Sequence, residues 1–208
     1  MSIFTLMKHA YHTIARPGES VIRDRGSRFL GFVFPVNNLN TIHEILDQYR
    51  KSHHDARHHC YAYRLGLEGE EWRANDDGEP SGSAGKPIHG QLLSQEITNV
   101  LALVIRYFGG VKLGVPGLIN AYRSATRDAI DDTTIVKKLT KTDLTIRFEY
   151  PVMNKVMKMI KEEDEIEMVT NHFDLKCEIQ CKVPTGIKDK MNRGLEGQAE
   201  LIWAVGEP

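Results

Sequence analysis

Long apolar runs are missing from this chain. The longest, residues 29–36 and 100–105, fall far short of the roughly 18 residues that a membrane-spanning helix needs. The N-terminal residues lack the basic, apolar, small-residue order of a secretory leader, so export is not expected. Cysteine is scarce and odd in number: three residues, with no C-x-x-C spacing. Cys177 and Cys181 read as lying on one strand, where four residues span about 13 Å. A disulfide needs Cα atoms within roughly 7 Å, so reduced thiols in a cytosolic protein are expected. Net charge is also nearly absent, at −1 from 27 basic and 28 acidic side chains, which excludes a uniformly basic nucleic-acid module. Neither low-complexity tracts nor internal repeats appear. With 41% apolar residues, a folded protein with a real core is the expectation, rather than a disordered or fibrous chain.

Hydrophobic periodicity divides the 208 residues into 1–136 and 137–208. In the second part Leu144, Ile146 and Phe148 alternate as a half-buried strand should. Pro151 then opens a helix, with Val152, Val156 and Ile160 on one face. Two strand-like runs follow at 166–172 and 175–183. Ile187, Met191 and Leu195 repeat at helical spacing, and Leu201, Trp203 and Val205 alternate. The order β-α-β-β-α-β predicts a ferredoxin-like four-stranded antiparallel sheet with two helices on one face.

The first part reads as α+β with an antiparallel sheet. Strands are expected near 11–15, 20–23 and 27–35, the last two joined by the turn Asp24-Arg25-Gly26. Thr41 and Glu44 suggest a capping box for a helix with Ile42, Ile45, Leu46 and Tyr49 on its buried stripe. Residues 60–67 read as a strand and 100–106 as a strand buried on both faces. Leu118, Tyr122, Ala125 and Ala129 mark a closing helix.

Three segments depart from what a core requires. Residues 71–88 hold almost no apolar content and read as a long loop, of a length often functional in compact domains. Gly78, Gly82, Gly85, Ser81, Ser83 and Lys86 suit an anion, whereas Asp76, Asp77 and Glu79 suit a hard cation. The EF-hand spacing fails. Ser83-x-x-Lys86 matches a nucleophile-lysine motif, but Gly85 and Pro87 argue against the helix that motif needs. The second segment, Arg106-Tyr107-Phe108-Gly109-Gly110-Val111-Lys112-Leu113-Gly114-Val115-Pro116-Gly117-Leu118, places four glycines in nine residues between a buried strand and a helix. It is either a tight structural turn or a phosphate cradle, although it is no Walker motif. The third, His53-His54-Asp55-Ala56-Arg57-His58-His59-Cys60, raises zinc, with His54 and His58 able to share a helix face; no second ligand pair supports it, and no metal or cofactor is expected. His59 could serve as a general base. Lys8, Arg16, Arg23, Arg25 and Arg28, with Tyr11 and Phe29, form a cation and aromatic pattern that can serve nucleic acid.

The strings Asp76-Asp77-Gly78-Glu79-Pro80-Ser81-Gly82-Ser83-Ala84-Gly85-Lys86-Pro87, Arg106-Tyr107-Phe108-Gly109-Gly110-Val111-Lys112-Leu113-Gly114 and His58-His59-Cys60-Tyr61-Ala62-Tyr63-Arg64 strongly resemble the IMPACT/YigZ family. The match departs at His59 and Tyr61, where many members carry Asn and Trp. The resemblance implies a first domain like the second domain of a small-subunit ribosomal protein and domain IV of elongation factor G, an α/β sandwich. It implies a second domain like that factor's domain V. Eukaryotic relatives in the family are regulators of translation control that bind a large protein partner. The short apolar runs lead to the expectation of no membrane contact. With the two glycine-rich segments and the strands of residues 16–28, the resemblance leads to the expectation of a cytosolic binding or regulatory protein that contacts RNA, the ribosome or a protein partner through the first domain. Its site residues would be drawn from His59, Arg64, Arg73, Asp76, Asp77, Glu79, Ser81, Ser83, Lys86, Arg106, Tyr107, Gly109, Gly110 and Lys112. The alternative is an enzyme or binder of a small phosphorylated ligand. There Asp76, Glu79 and Lys86 would hold or activate groups, His59 would exchange protons, and Gly109 and Gly110 would cradle the anion.

Charge is unevenly spread beneath the neutral total. Five cations and two anions lie between residues 8 and 28, against six anions and one cation between 68 and 79. This segregation favours a selective partner over indiscriminate electrostatic attraction.

Overall fold

The computed structural model describes residues 9–204; Lys8 and Val205 lie outside them. The described chain is a mixed α/β fold that separates into two compact units, residues 11–138 and residues 139–204 together with 9–10.

In the first unit, β1 (Ala10–Ile14), β2 (Gly18–Asp24) and β3 (Ser27–Pro35) precede α1 (Leu39–Ser52). Then come β4 (His58–Leu65), β5 (Glu71–Asn75), α2 (Gly85–Ser94), β6 (Val100–Tyr107), α3 (Gly114–Asp131) and β7 (Ile135–Leu139). Five strands form an antiparallel sheet in the order β2-β3-β6-β4-β5, while β1 and β7 pair separately. Strand alternation sends Val100, Ala102 and Val104 of β6 into a core with Ile88 and Leu92 of α2 and Tyr122 and Ala125 of α3. Leu101, Leu103 and Ile105 point the other way, against Ile42 and Leu46 of α1. A strand flanked by helices on both faces has no polar side to show, which is why it reads as an unbroken apolar run.

The hairpin turn between β2 and β3 places Arg25 at φ 43° and Gly26 at φ 80°, the paired positive values of a type I′ turn. Two expectations need correction. Asn38, not Thr41, caps α1: the Asn38 side chain accepts a hydrogen bond from the Thr41 N–H, so Thr41 lies inside the first turn. Residues 71–88 are not one loop either. Glu71–Asn75 form edge strand β5, whose side chains are mostly exposed and so leave no apolar alternation. The chain is helical again from Gly85, despite Pro87, because proline is tolerated in a first turn whose N–H groups have no intrahelical acceptor.

The second unit holds β8 (Lys141–Glu149), α4 (Met153–Lys161), β9 (Glu167–His172), β10 (Lys176–Pro184), α5 (Lys188–Leu195) and β11 (Ala199–Trp203). Its antiparallel sheet runs β11-β8-β10-β9. Leu144, Ile146, Phe148, Ile179 and Val183 pack under Val156, Ile160, Met191 and Leu195 in a core of its own. Cys177 and Cys181 are buried, free thiols on β10; burial pushes the Cys181 thiol up to about 11. Among the described residues no helix is long and apolar enough to cross a membrane.

Candidate functional site

The register of the five-stranded sheet determines where the unusual segments meet. Arg28 near the start of β3 pairs with Tyr107 at the end of β6, and His58 at the start of β4 pairs with Arg106. The hairpin turn at Arg25-Gly26, the segment after β5 and the glycine-rich segment after β6 therefore all emerge at one end of the sheet. The junctions are tight. A Cβ at Gly109 would lie 1.8 Å from the Gly26 carbonyl carbon, and the Gly109 N–H donates to the Ser27 hydroxyl over 3.2 Å. No other residue fits at that crossing.

Beneath this end lies a buried polar network. Glu79 Oε1 accepts from Arg106 Nη1 and from the Tyr122 hydroxyl, each at 2.7 Å, with both the Glu79 and Arg106 side chains almost fully enclosed. The Cys60 thiol donates to the Asp76 carbonyl and lies 3.3 Å from the Tyr122 hydroxyl. Burial pushes both Cys60 and Tyr122 far above their ordinary ranges, so Cys60 is a protonated packing thiol rather than a nucleophile. The Arg106 guanidinium also stands over the Phe29 and Phe108 rings.

Asp76 organises the segment that carries Glu79. Its Oδ1 accepts from the Ala84 and Gly85 N–H groups and its Oδ2 from Gly82. Burial alone would raise the Asp76 carboxyl, but these three donors and nearby Lys86 outweigh it and hold it below the usual range. The carboxylate thus caps α2 from eight residues upstream of its N-cap, Ala84, a position no local capping pattern would reveal. Asp77 Oδ2 accepts the His59 N–H, and the Asp77 carbonyl meets His58 Nδ1.

The remaining sequence-derived residues divide by location. His59 shares the α1 face with Tyr61 and Tyr63, whereas Cys60 faces α2 and α3, so strand alternation separates the His59 ring from Glu79. Burial lowers the His59 pKa and leaves its Nε2 without a partner. His54 and His58 do not share a helix: α1 ends before the first and β4 begins at the second. Among the described residues no group of three His, Cys, Asp or Glu side chains could hold a metal. Arg64 lies toward the far end of β4, where it donates to the Ile97 and Glu68 carbonyls. Arg73 is exposed on edge strand β5, and Ser81 is exposed in the turn. The Ser83 hydroxyl is buried and donates to the Pro80 carbonyl, so Ser83-x-x-Lys86 holds no free nucleophile.

Tyr107 ends β6 with its hydroxyl between His53 Nδ1 and Asp55 Oδ1 and with Arg28 4.6 Å above its ring. Arg16 pairs with Asp132, away from the sheet end. Arg23, Arg25, Arg28 and Lys112 are exposed and form no ion pair within 4 Å among the described residues. Gly110 adopts φ 87° in open space. Sequence reasoning placed Tyr122 only as core; its hydroxyl, set at a wholly buried helix position, is the signal of the network. It also passed over the exposure of Phe108 (47%) and Val111 (50%).

The Impact N-terminal domain family model matches residues 25–130, which take in all three segments. The chain is 33% identical over 156 residues to the IMPACT family member YvyE of Bacillus subtilis, covering 75% of this chain and 72% of that one. It is 32% identical over 152 residues to the IMPACT family member YigZ of Escherichia coli, covering 72% and 74%. A solved structure titled as that of a hypothetical protein superposes with a TM-score of 0.69 at 26% identity, covering 96% of this chain and 99% of the other. By its domain match and by these relatives, the chain belongs to the IMPACT family.

Proposed function

We propose that this chain is a non-enzymatic cytoplasmic binding protein of translation control that contacts RNA through the sheet end of its first unit. The observation that carries the reading is the gathering of exposed Arg25, Arg28 and Lys112, which form no ion pair among the described residues, with exposed Phe108 and Val111 at that end. Exposed aromatic faces and cations together are what single-stranded or looped RNA uses, bases stacking on rings while phosphates meet the charges. A sheet flanked by helices on both faces in the first unit, and the β11-β8-β10-β9 order of the second, support viewing the units as counterparts of elongation factor G domains IV and V, the second ferredoxin-like. The groups that hydrolytic chemistry would need are already engaged: Glu79 by two donors, Asp76 by three, Ser83 by a carbonyl and Cys60 by burial. This argues for binding over catalysis.

Fluorescence anisotropy with labelled structured RNA and with ribosomes, at about 100 mM salt, tests the reading. Saturable binding that weakens in the Arg25→Ala, Lys112→Ala double variant is expected. Absence of saturation with both would refute RNA contact and leave a protein partner as the target.

A further inference from the structure

A groove of about 370 Å³ runs between α2 and α3, apart from the residues that the RNA reading uses. Lys86 from the first turn of α2 and Arg123 from α3 line it, joined by Gly82, Gly90 and Gln91. Both cations are exposed and without an ion pair within 4 Å among the described residues, and no carboxylate lines the groove. The Asp76 carboxylate, which feels Lys86, is directed instead at three backbone N–H groups.

Gly90 is the independent observation. It sits inside α2, where glycine is less favourable than alanine. Elsewhere in the fold a glycine can be explained by crowding: a Cβ at Gly85 would stand 2.6 Å from the Asn75 nitrogen. At Gly90 a Cβ would meet nothing within 4 Å, so packing within the chain does not require the residue. What glycine does provide there is a bare stretch of helix on the groove wall, open to close approach by a ligand.

We propose that this groove seats a phosphoryl group, held between the Lys86 ammonium and the Arg123 guanidinium, with the Gln91 amide as a further donor. Lysine supplies a mobile point charge and arginine a planar fork, a pairing suited to phosphoryl oxygens. The phosphoryl group can belong to an RNA backbone or to a small nucleotide, because the recognising chemistry is shared.

Amide chemical shifts of the ¹⁵N-labelled full chain, at constant ionic strength, distinguish these. Inorganic phosphate, adenosine monophosphate and a short single-stranded RNA are titrated in turn. Saturating shifts at the Gly82, Gly90 and Gln91 amides are expected, with affinity falling roughly tenfold or more in Lys86→Ala, Arg123→Ala. Tighter binding of the RNA assigns the group to a nucleic-acid backbone; tighter binding of the mononucleotide assigns it to a small ligand. Gly90→Leu, which fills the groove, should abolish the shifts of Gly82 and Gln91, whereas Gly90→Ala should raise the melting temperature. Should Gly90→Leu fail to fold, the exposed Lys86 and Arg123 substitutions still decide the matter. No shift at these amides with any of the three, or shifts unchanged in the charge variant, overturns the proposal. A failure of RNA binding at the sheet end leaves it standing, since the phosphate and mononucleotide titrations do not involve that surface.

Discussion

Glu79 is the side chain whose replacement should be felt most. Its carboxylate neutralises Arg106 inside the protein and accepts from Tyr122, so Glu79→Ala leaves a guanidinium buried without its counter-charge. Removing one partner of such a pair costs about 3–5 kcal/mol. Glu79→Gln, which retains an acceptor, should lose less. Urea denaturation of the two variants checks the order, and equal losses would show that an uncharged acceptor contributes nothing and that the charge alone carries the stabilisation. Asp76 makes a different kind of contribution. Because folding lowers its pKa, the stabilisation is present above the ordinary carboxylate range and disappears as pH falls through the folded value, below about pH 4. Asp76→Asn, which loses an acceptor facing three N–H donors, should therefore be about 1–3 kcal/mol less stable at neutral pH. The gap to the parent chain should close on acidification. Denaturation midpoints across a pH series test this, and a gap that widens as the pH falls would contradict the sign.

At the scale of elements, what the sequence revealed depended on whether burial was one-sided or two-sided. The β2–β3 hairpin was legible because Arg25-Gly26 is a turn signature between two alternating runs, and β6 because two covered faces demand six apolar residues in succession. Edge strand β5 was hidden, since an exposed strand beginning Glu71-Trp72-Arg73 obeys no hydrophobic period. Helix α2 was hidden because its cap is supplied by Asp76 across an intervening turn. The crossing of Gly109 over Gly26 was equally invisible: four glycines in a short segment announce a tight turn without saying what it is tight against. That crossing separates two glycines of similar appearance. Gly109→Ala must push the hairpin away from the β6–α3 segment, costing about 1–3 kcal/mol. At Gly110, where φ is positive but space is open, alanine should cost only about 1 kcal/mol. Chemical denaturation of the pair measures the difference, and a reversal would place the close contact elsewhere.

For the whole molecule, two compact units and a net charge of −1 make the distribution of charge more informative than its total. The motifs identified the family, but they could not distinguish a contact surface from a scaffold. Arg106 and Glu79 turn out to hold each other inside the protein, while Arg25, Arg28 and Lys112 remain outside. Only three-dimensional pairing makes that distinction, because the same residue types appear in both sets. A neutral molecule exerts little long-range attraction on a polyanion, so RNA affinity should derive from these few local cations together with Arg23. With about 0.7 counterions released per single-strand phosphate contact, four contacts predict a slope near −3 in log affinity against log salt. The Arg25→Ala, Lys112→Ala variant should shift that slope to about −1.5. Binding measured between about 50 and 200 mM salt tests both values. A parental slope near zero would mean that stacking on Phe108 and its neighbours, not phosphate contact, holds the RNA, and a slope unchanged in the variant would place the phosphate contacts on another face.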